Sequence, residues 1–370
     1  VSAVAVPPFP NSAMDGFAVI ADDVMRTPVS LIVNEDVPAG SVPTIVVTTG
    51  TATRIMTGAP MPDGADAVVR VEDTVSSEGS VTIHEGVDPG ANVRPAGGDI
   101  RPGQVVVDAG VRMTTRHAAA AASVGQRPVV RRRPVVAVLS TGDEVMEPDT
   151  VDLGPGQIRD TNRIMLRGAL ADVGADVVDL GIVRDDLAVL RSAYLGAAER
   201  ADVIVSTGGV SMGDYDFVKQ VLGESGSVEF WKVAMQPAKP FAFGSIGGTP
   251  LFGLPGNPVS TFVAFEQFVR PALLTMLGAK SVLRPRIPAV MGEDVATPDD
   301  REVFLRVLVA TDRDGSLVAV RSGGQGSNVV SALADAQAFA VVPVGVSSMS
   351  AGEPVTLEMF TWDEARAADG

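Results

Sequence analysis

Three short apolar runs, each ending in a glycine-bearing turn, constrain this chain more than any other feature. They are Val135–Leu139 followed by Ser140-Thr141-Gly142-Asp143-Glu144, Val203–Ser206 followed by Thr207-Gly208-Gly209, and Leu251–Leu254 followed by Pro255-Gly256-Asn257-Pro258. Runs this short and this apolar read as strands buried on both faces. Helical patterns fall between them at Thr161–Val173, with Thr161 or Asp160 as cap, at Asp186–Glu199 and at Asp214–Leu222. Further strands fit at Ala175–Leu180, Val228–Val233 and Phe241–Phe243. Asn257–Leu277 reads as one long helix, with Asn257 as cap, Pro258 in its first turn and Gly278 at its end. Alternating β and α at this spacing predicts a parallel sheet covered on both faces, with its ligand edge at the carboxyl ends of the strands.

That edge has a definite chemistry. Glycine turns expose backbone N–H groups and let an anion come close, and a following helix adds its positive dipole. One glycine after a strand is ordinarily only a turn. Three on one sheet edge predict a phosphate-bearing ligand. Glu144, Asp160, Asp185 and Asp216 follow strands on the same edge. Carboxylates repel phosphate, so acids beside an anion site imply a divalent cation between them, most naturally Mg²⁺ with its hard oxygen ligands. Helix capping is an equal alternative for Asp160 and Asp185, and a helix dipole alone would account for Asp216. Lys232 and Lys239 flank Gln236 and Pro237. They could neutralise an oxyanion or be solvated surface. His84 and His117 lack metal-ligand spacing and receive no role.

The flanks are β in texture. Residues 1–112 carry turn pairs about every ten residues, and strands fit at Leu31–Val33, Thr44–Val47, Ala67–Val71, Val81–Ile83 and Gln104–Val107. Thr114–Ser123 is a short Ala-rich helix closed by Gly125, and Arg127 and Arg131–Arg133 read as the solvated face of a connecting strand or linker. From Val282 the pattern is β again, with strands at Val303–Val309, Leu317–Arg321, Ala338–Val342 and Pro354–Met359 and a frayed tail over Asp363–Gly370. The chain of 370 residues exceeds a single core, so several domains are expected.

A net charge of −16 disfavours nucleic acid and anionic membranes. The absence of cysteine excludes disulfides, thiolate metal sites and a cysteine nucleophile, and is compatible with a reducing cytoplasm. No apolar run approaches the roughly 18 residues of a membrane span. The chain shows no secretory leader and opens on Val1, so an N-terminal segment is expected to be missing.

Beyond these local readings, the chain resembles the molybdopterin molybdenumtransferase family, the bacterial MoeA proteins and the gephyrin E domain. The resemblance is carried by Asn11–Phe17 (NSAMDGF), Arg54–Pro60 (RIMTGAP), Gly97–Ile100 (GGDI), Leu139–Val145 (LSTGDEV), Asp160–Arg163 (DTNR), Ser206–Asp216 (STGGVSMGDYD), Phe230–Phe243, Leu254–Ser260 (LPGNPVS) and Gly324–Asn328 (GQGSN), in this order. It implies a multidomain α/β plus β fold. Residues 1–6 and 104–133 would form an elongated linking and dimerisation domain, with 7–103 as an inserted β domain. Residues 134–284 would be a parallel-sheet molybdopterin-binding α/β domain, and 285–370 a C-terminal β-barrel-like domain.

The resemblance also implies the reaction: adenylylated molybdopterin and molybdate give molybdenum cofactor and AMP, with Mg²⁺. Asp15, Asp99, Glu144, Asp185, Asp216, Lys232 and Lys239 would be catalytic, with Glu144, Asp185 and Asp216 as metal ligands. Thr57, Ser140, Thr141, Gly142, Asp160, Thr207, Gly208, Gly209, Ser211, Gln236, Pro255, Gly256, Asn257, Pro258 and Ser327 would bind the substrate. A cytoplasmic homodimer with a shared active site is implied, in which Asp15, Thr57 and Asp99 reach across. The molybdopterin adenylyltransferase and molybdoenzyme apo-proteins would be protein partners. Pro10, Gln236 and Ala238 depart from the family pattern, which more often has Asp, Lys and Gly there. A molybdopterin adenylyltransferase and a gephyrin-like binding scaffold are the alternative functions.

Overall fold

The computed structural model describes residues 1–209 and 226–360. They fall into two compact units, Val1–Val130 and Arg131–Gly370. Ser211, Asp216, the helix expected at Asp214–Leu222 and the tail expected to fray lie outside the described residues.

The first unit is built on a sheet of β1 (Gly16–Val19), β2 (Val29–Val37), β3 (Thr51–Ile55), β4 (Ala67–Arg70), β5 (Thr74–Ser77) and β6 (Ser80–Ile83), in the order β4-β1-β3-β2-β6-β5. The chain is so close at β1 that a Cβ on Gly16 would sit 1.9 Å from the Val69 carbonyl oxygen. Only glycine fits there. Two expected strands are absent. At Thr44–Val47 the Glu35 carboxylate takes the Thr44 and Ile45 N–H groups that a ladder would need. At Gln104–Val107 the Gln104 N–H closes a turn onto the Arg101 carbonyl. Conversely, β1, β3 and β5 lie outside the expected strands. The helix α1 (Thr115–Ser123) begins with Thr114 and His117 in a reciprocal capping box, which gives His117 a structural role.

The second unit carries β7 (Val135–Thr141), β8 (Asp176–Val183), β9 (Val203–Thr207), β10 (Gly226–Lys232), β11 (Pro240–Ile246) and β12 (Thr249–Leu254), ordered β8-β7-β9-β12-β11-β10. Adjacent strands among the first four are parallel, but β11 runs antiparallel to both of its neighbours, β12 and β10, which corrects the all-parallel expectation. The two-residue Gly247-Gly248 turn, with both φ values positive, makes β11 and β12 a tight hairpin. Alternate residues serve opposite faces. Val136, Val138, Val203 and Val205 join Leu166 and Leu170 of α2 (Asn162–Val173) in one core, while Ala137, Leu139 and Ile204 join Leu190, Tyr194 and Ala197 of α3 (Leu187–Ala198) in another. Each fully buried leucine contributes about 2 kcal/mol.

The expected long helix is instead α4 (Pro258–Ala264), a π turn at Phe265–Val269 and α5 (Arg270–Met276), closed by Gly278 at φ 73°. Pro271, which cannot donate an i→i−4 bond, is the second residue after the π turn. The arginine run is exposed, as a solvated face should be, and it takes part in ion pairing at the surface. Arg132 pairs with Asp202 at 2.6 Å, and Asp202 also accepts the Val135 N–H at the start of β7.

Residues beyond the α/β domain close a five-stranded barrel: β13 (Arg286–Met291), β14 (Glu302–Thr311), β15 (Leu317–Arg321), β16 (Ala338–Val342) and β17 (Pro354–Met359). Its order is β14-β15-β13-β17-β16, with β16 pairing back to β14. Closure removes the free edges. Phe304, Phe339 and Val341 of the barrel belong to the same core as α2, α4 and α5, so barrel and α/β domain share packing.

Candidate active site

Because β7, β9 and β12 are parallel neighbours, their three glycine turns lie side by side at one edge of the sheet. The turns touch. A Cβ on Gly208 would lie 2.4 Å from the Thr141 carbonyl oxygen, and one on Gly256 would lie 3.9 Å from the Gly208 Cα. Gly208 and Gly209 have φ values of 90° and 64°, a region costly for other residues, so the second turn needs glycine twice over.

Side chains lace the edge together. Asn162, at the first turn of α2, donates to Thr207 Oγ1 at 2.8 Å and to the Gly256 carbonyl at 2.7 Å. The hydroxyls of Thr207 and Thr261 both donate to the Pro255 carbonyl. Four buried polar atoms here, on Ser140, Thr141, Asn162 and Ser206, have no hydrogen-bond partner among the described residues. Buried polar groups are normally paired, so this concentration of unused capacity at one edge suits a polar ligand. Asn257 is exposed, makes no cap bond through its side chain, and leaves Pro258 to open α4.

Acids gather beside the first turn. The Asp185 N–H bonds Asp143 Oδ1 at 3.3 Å, and the Glu144 carboxylate lies over Gly142. Burial pushes the Asp185 carboxyl above its usual range, and the charges of Asp143 and Glu144 push it further. Asp186, not Asp185, caps α3. Sequence reading passes over Asp143, although it directly precedes Glu144.

Asp160 takes the capping alternative of the two expected for it. Its carboxylate accepts the Arg163 backbone N–H at 3.0 Å and pairs with the Arg163 guanidinium at 2.9 Å, so it braces α2 and is already engaged. Among the described residues no three acids or histidines converge closely enough to hold an ion unaided.

The cations come from the far side of the same edge. Lys232 ends β10 opposite Pro240, and the antiparallel hairpins bring the Val233–Lys239 turn to the edge that carries the glycine turns. Lys232, Gln236 and Lys239 are exposed. Within that turn Ala238 is buried at φ 73°, a conformation that favours glycine. The Ser327 carbonyl accepts the Val259 N–H of α4 at 3.1 Å, which ties the barrel's GQGSN loop to the third turn. Beneath that loop Arg306 is fully buried without a carboxylate. It donates from Nη2 to the carbonyls of Gly324 and Gly326, while Nε and Nη1 have no partner among the described residues, and burial lowers its pKa. Sequence reading misses Arg306 because an arginine in a strand ordinarily points to solvent.

The remaining expected residues belong to the first unit. Asp15 Oδ1 accepts both the N–H and the hydroxyl of Thr57 at 2.7 Å, and these bonds hold the carboxyl below its usual range although it is exposed. Asp99 is exposed, with its N–H bonded to the Val6 carbonyl.

Taken together, these features define a multidomain α/β and β protein whose central sheet offers backbone cradles for an anionic ligand. Models of the probable molybdopterin-binding domain, of the MoeA N-terminal region (domain I and II) and of the MoeA C-terminal region (domain IV) match residues 137–275, 1–125 and 288–360. The molybdopterin molybdenumtransferase of Haemophilus influenzae is 38% identical over 97% of this chain and 89% of its own length. Molybdopterin molybdenumtransferase 2 of Mycobacterium tuberculosis is 39% identical over 98% and 90%. The crystal structure of a molybdopterin biosynthesis MoeA protein from Pyrococcus horikoshii superposes with a TM-score of 0.79 at 35% identity, covering 98% of this chain and 90% of that one. The chain therefore belongs to the molybdopterin molybdenumtransferase family. Among the described residues no helix is long and apolar enough to cross a membrane.

Proposed function

We propose that this chain is a transferase of molybdenum cofactor biosynthesis that inserts molybdenum from molybdate into adenylylated molybdopterin and releases AMP. The observation that carries the reading is the contact between the three glycine turns, knitted by Asn162 and lined by unpartnered hydroxyls. In this reading the N–H groups around Gly142, Gly208, Gly209 and Gly256 hold the substrate's phosphates, with Ser140, Thr141, Thr207, Ser211, Pro255, Asn257 and Pro258 shaping the cradle. Lys232, Lys239, Gln236, Ser327 and the buried Arg306 attract the oxyanion.

The acid set fits Mg²⁺. This ion is commonly held by one or two carboxylates plus substrate phosphates, not by an all-protein cage. Asp143, Glu144 and Asp185 offer hard oxygens that repel one another without a cation. Glu144, Asp185 and Asp216 would hold the ion, which when bound supplies Lewis-acid polarisation of the phosphate link. A cytoplasmic homodimer completes the proposal, with Asp15, Thr57 and Asp99 contributed across subunits through the linking segments 1–6 and 104–133. Molybdopterin adenylyltransferase and molybdoenzyme apo-proteins would be its protein partners.

The test is molybdate-dependent AMP release from adenylylated molybdopterin with Mg²⁺, coupled to activation of a molybdenum-free apo-enzyme. The reading requires both signals together. AMP formed from ATP and molybdopterin, with no response to molybdate, would make the chain an adenylyltransferase instead.

A further inference from the structure

The acids beside the first turn create a mechanical problem. Asp143 and Glu144 leave β7, while Asp185 follows β8, and like charges drive these segments apart. One side chain bridges them. The Arg163 guanidinium is buried and donates from Nη1 to Asp179 Oδ2 at 2.6 Å, from Nε to Asp160 Oδ2 at 2.9 Å, and from Nη2 to Glu147. Glu147 lies three residues past Glu144 on the strap that leads to α2. Asp179 lies on β8, at the irregularity that re-aims the strand toward Asp185. The strap is pinned at both ends, since Ile158 N–H bonds the Glu144 carbonyl and Asp160 N–H bonds the Met146 carbonyl. Asp160 anchors the same guanidinium at the head of α2, next to Asn162.

We infer that Arg163 is a positioning residue for divalent-cation binding: its fork ties the Glu147 strap to the Asp179 strand and so fixes the spacing of Glu144 and Asp185. Arginine is required because one planar group serves three carboxylates at once, which a lysine ammonium cannot match in direction. The inference rests on the magnesium-dependent reading above.

The test uses the full chain. Mg²⁺ is titrated calorimetrically in the presence of AMP, and the Mg²⁺ dependence of molybdate-stimulated AMP release is measured alongside. Arg163→Lys should raise the half-saturating Mg²⁺ about tenfold while the rate at saturating Mg²⁺ stays within about twofold of wild type. Loss of the buried guanidinium fork also threatens the fold. Glu147→Gln, at a partner whose side chain is 51% exposed, therefore releases only the strap arm. It should raise half-saturating Mg²⁺ several-fold beyond Asp149→Asn, which removes the same charge from the exposed strap without touching Arg163. Equal shifts in Glu147→Gln and Asp149→Asn, or a loss of maximal rate with an unchanged Mg²⁺ requirement, would overturn the inference. Failure of the wild-type chain to bind Mg²⁺ at all would instead sink the underlying magnesium reading.

Discussion

The two units handle acidic chemistry in opposite ways. In Val1–Val130 the exposed carboxylate of Asp15 is held by one threonine through two 2.7 Å bonds. In Arg131–Gly370 the chemistry is spread over the backbone of three adjoining turns, with Asn162, Thr207 and Thr261 as buried ties. A side-chain site can be switched off by one mutation with the fold intact. A backbone site cannot be separated from the fold that makes it, so its mutations should cost stability and function together.

The sharpest break of this contrast is Gly208→Ala. It combines φ 90° with a Cβ 2.4 Å from backbone, and should cost about 3 kcal/mol or more and abolish AMP binding. Gly16→Ala meets backbone even more closely and should cost a similar stability, read by urea denaturation. Nucleotide affinity measured by calorimetry should survive in the folded fraction of that variant. Equal loss of affinity in both would erase the distinction between the units. Next in size is Asn162→Ala, which removes two bonds between turns and should cost about 2 kcal/mol with a parallel loss of phosphate affinity. Ala238→Gly should gain up to about 1 kcal/mol by relieving a left-handed alanine, seen as a raised Tm.

The smallest effect is Thr57→Val. Asp15's folded pKa is depressed, so its contribution to stability is present above the unfolded pKa and fades as pH falls through the folded one. An NMR titration of the valine variant should find the Asp15 carboxyl raised but still below its ordinary range, because the backbone N–H bond, the larger cause, remains, with little change in Tm at neutral pH.

Much of this was legible from residues alone. The apolar runs of β7, β9 and β12 carry an all-buried pattern that leaves little choice but a covered sheet, and the turns after them follow from glycine's conformational freedom. The barrel strands show the same clarity, apart from β13, where Arg286 and Pro288 obscure the alternation. What escaped depends on tertiary partners. The Gly247-Gly248 pair is a hairpin signal, and the antiparallel direction it imposes on β11 is absent from the all-parallel expectation. Thr44 and Ile45 look like strand until Glu35 captures their N–H groups. Asp160 reads as a ligand or a cap with equal ease. Only the packing of Arg163 against it and Asp179 shows the carboxylate engaged. The buried Arg306 is invisible to any rule that sends arginine to the surface.

The central claim is that the turns at Gly142, Gly208 and Gly256 form one phosphate cradle. A crystal structure of the chain with bound AMP tests it most directly. The account requires the phosphate within hydrogen-bond distance of N–H groups from at least two of these turns. Nucleotide seated at the opposite edge of the sheet, with all three turns untouched, would contradict it.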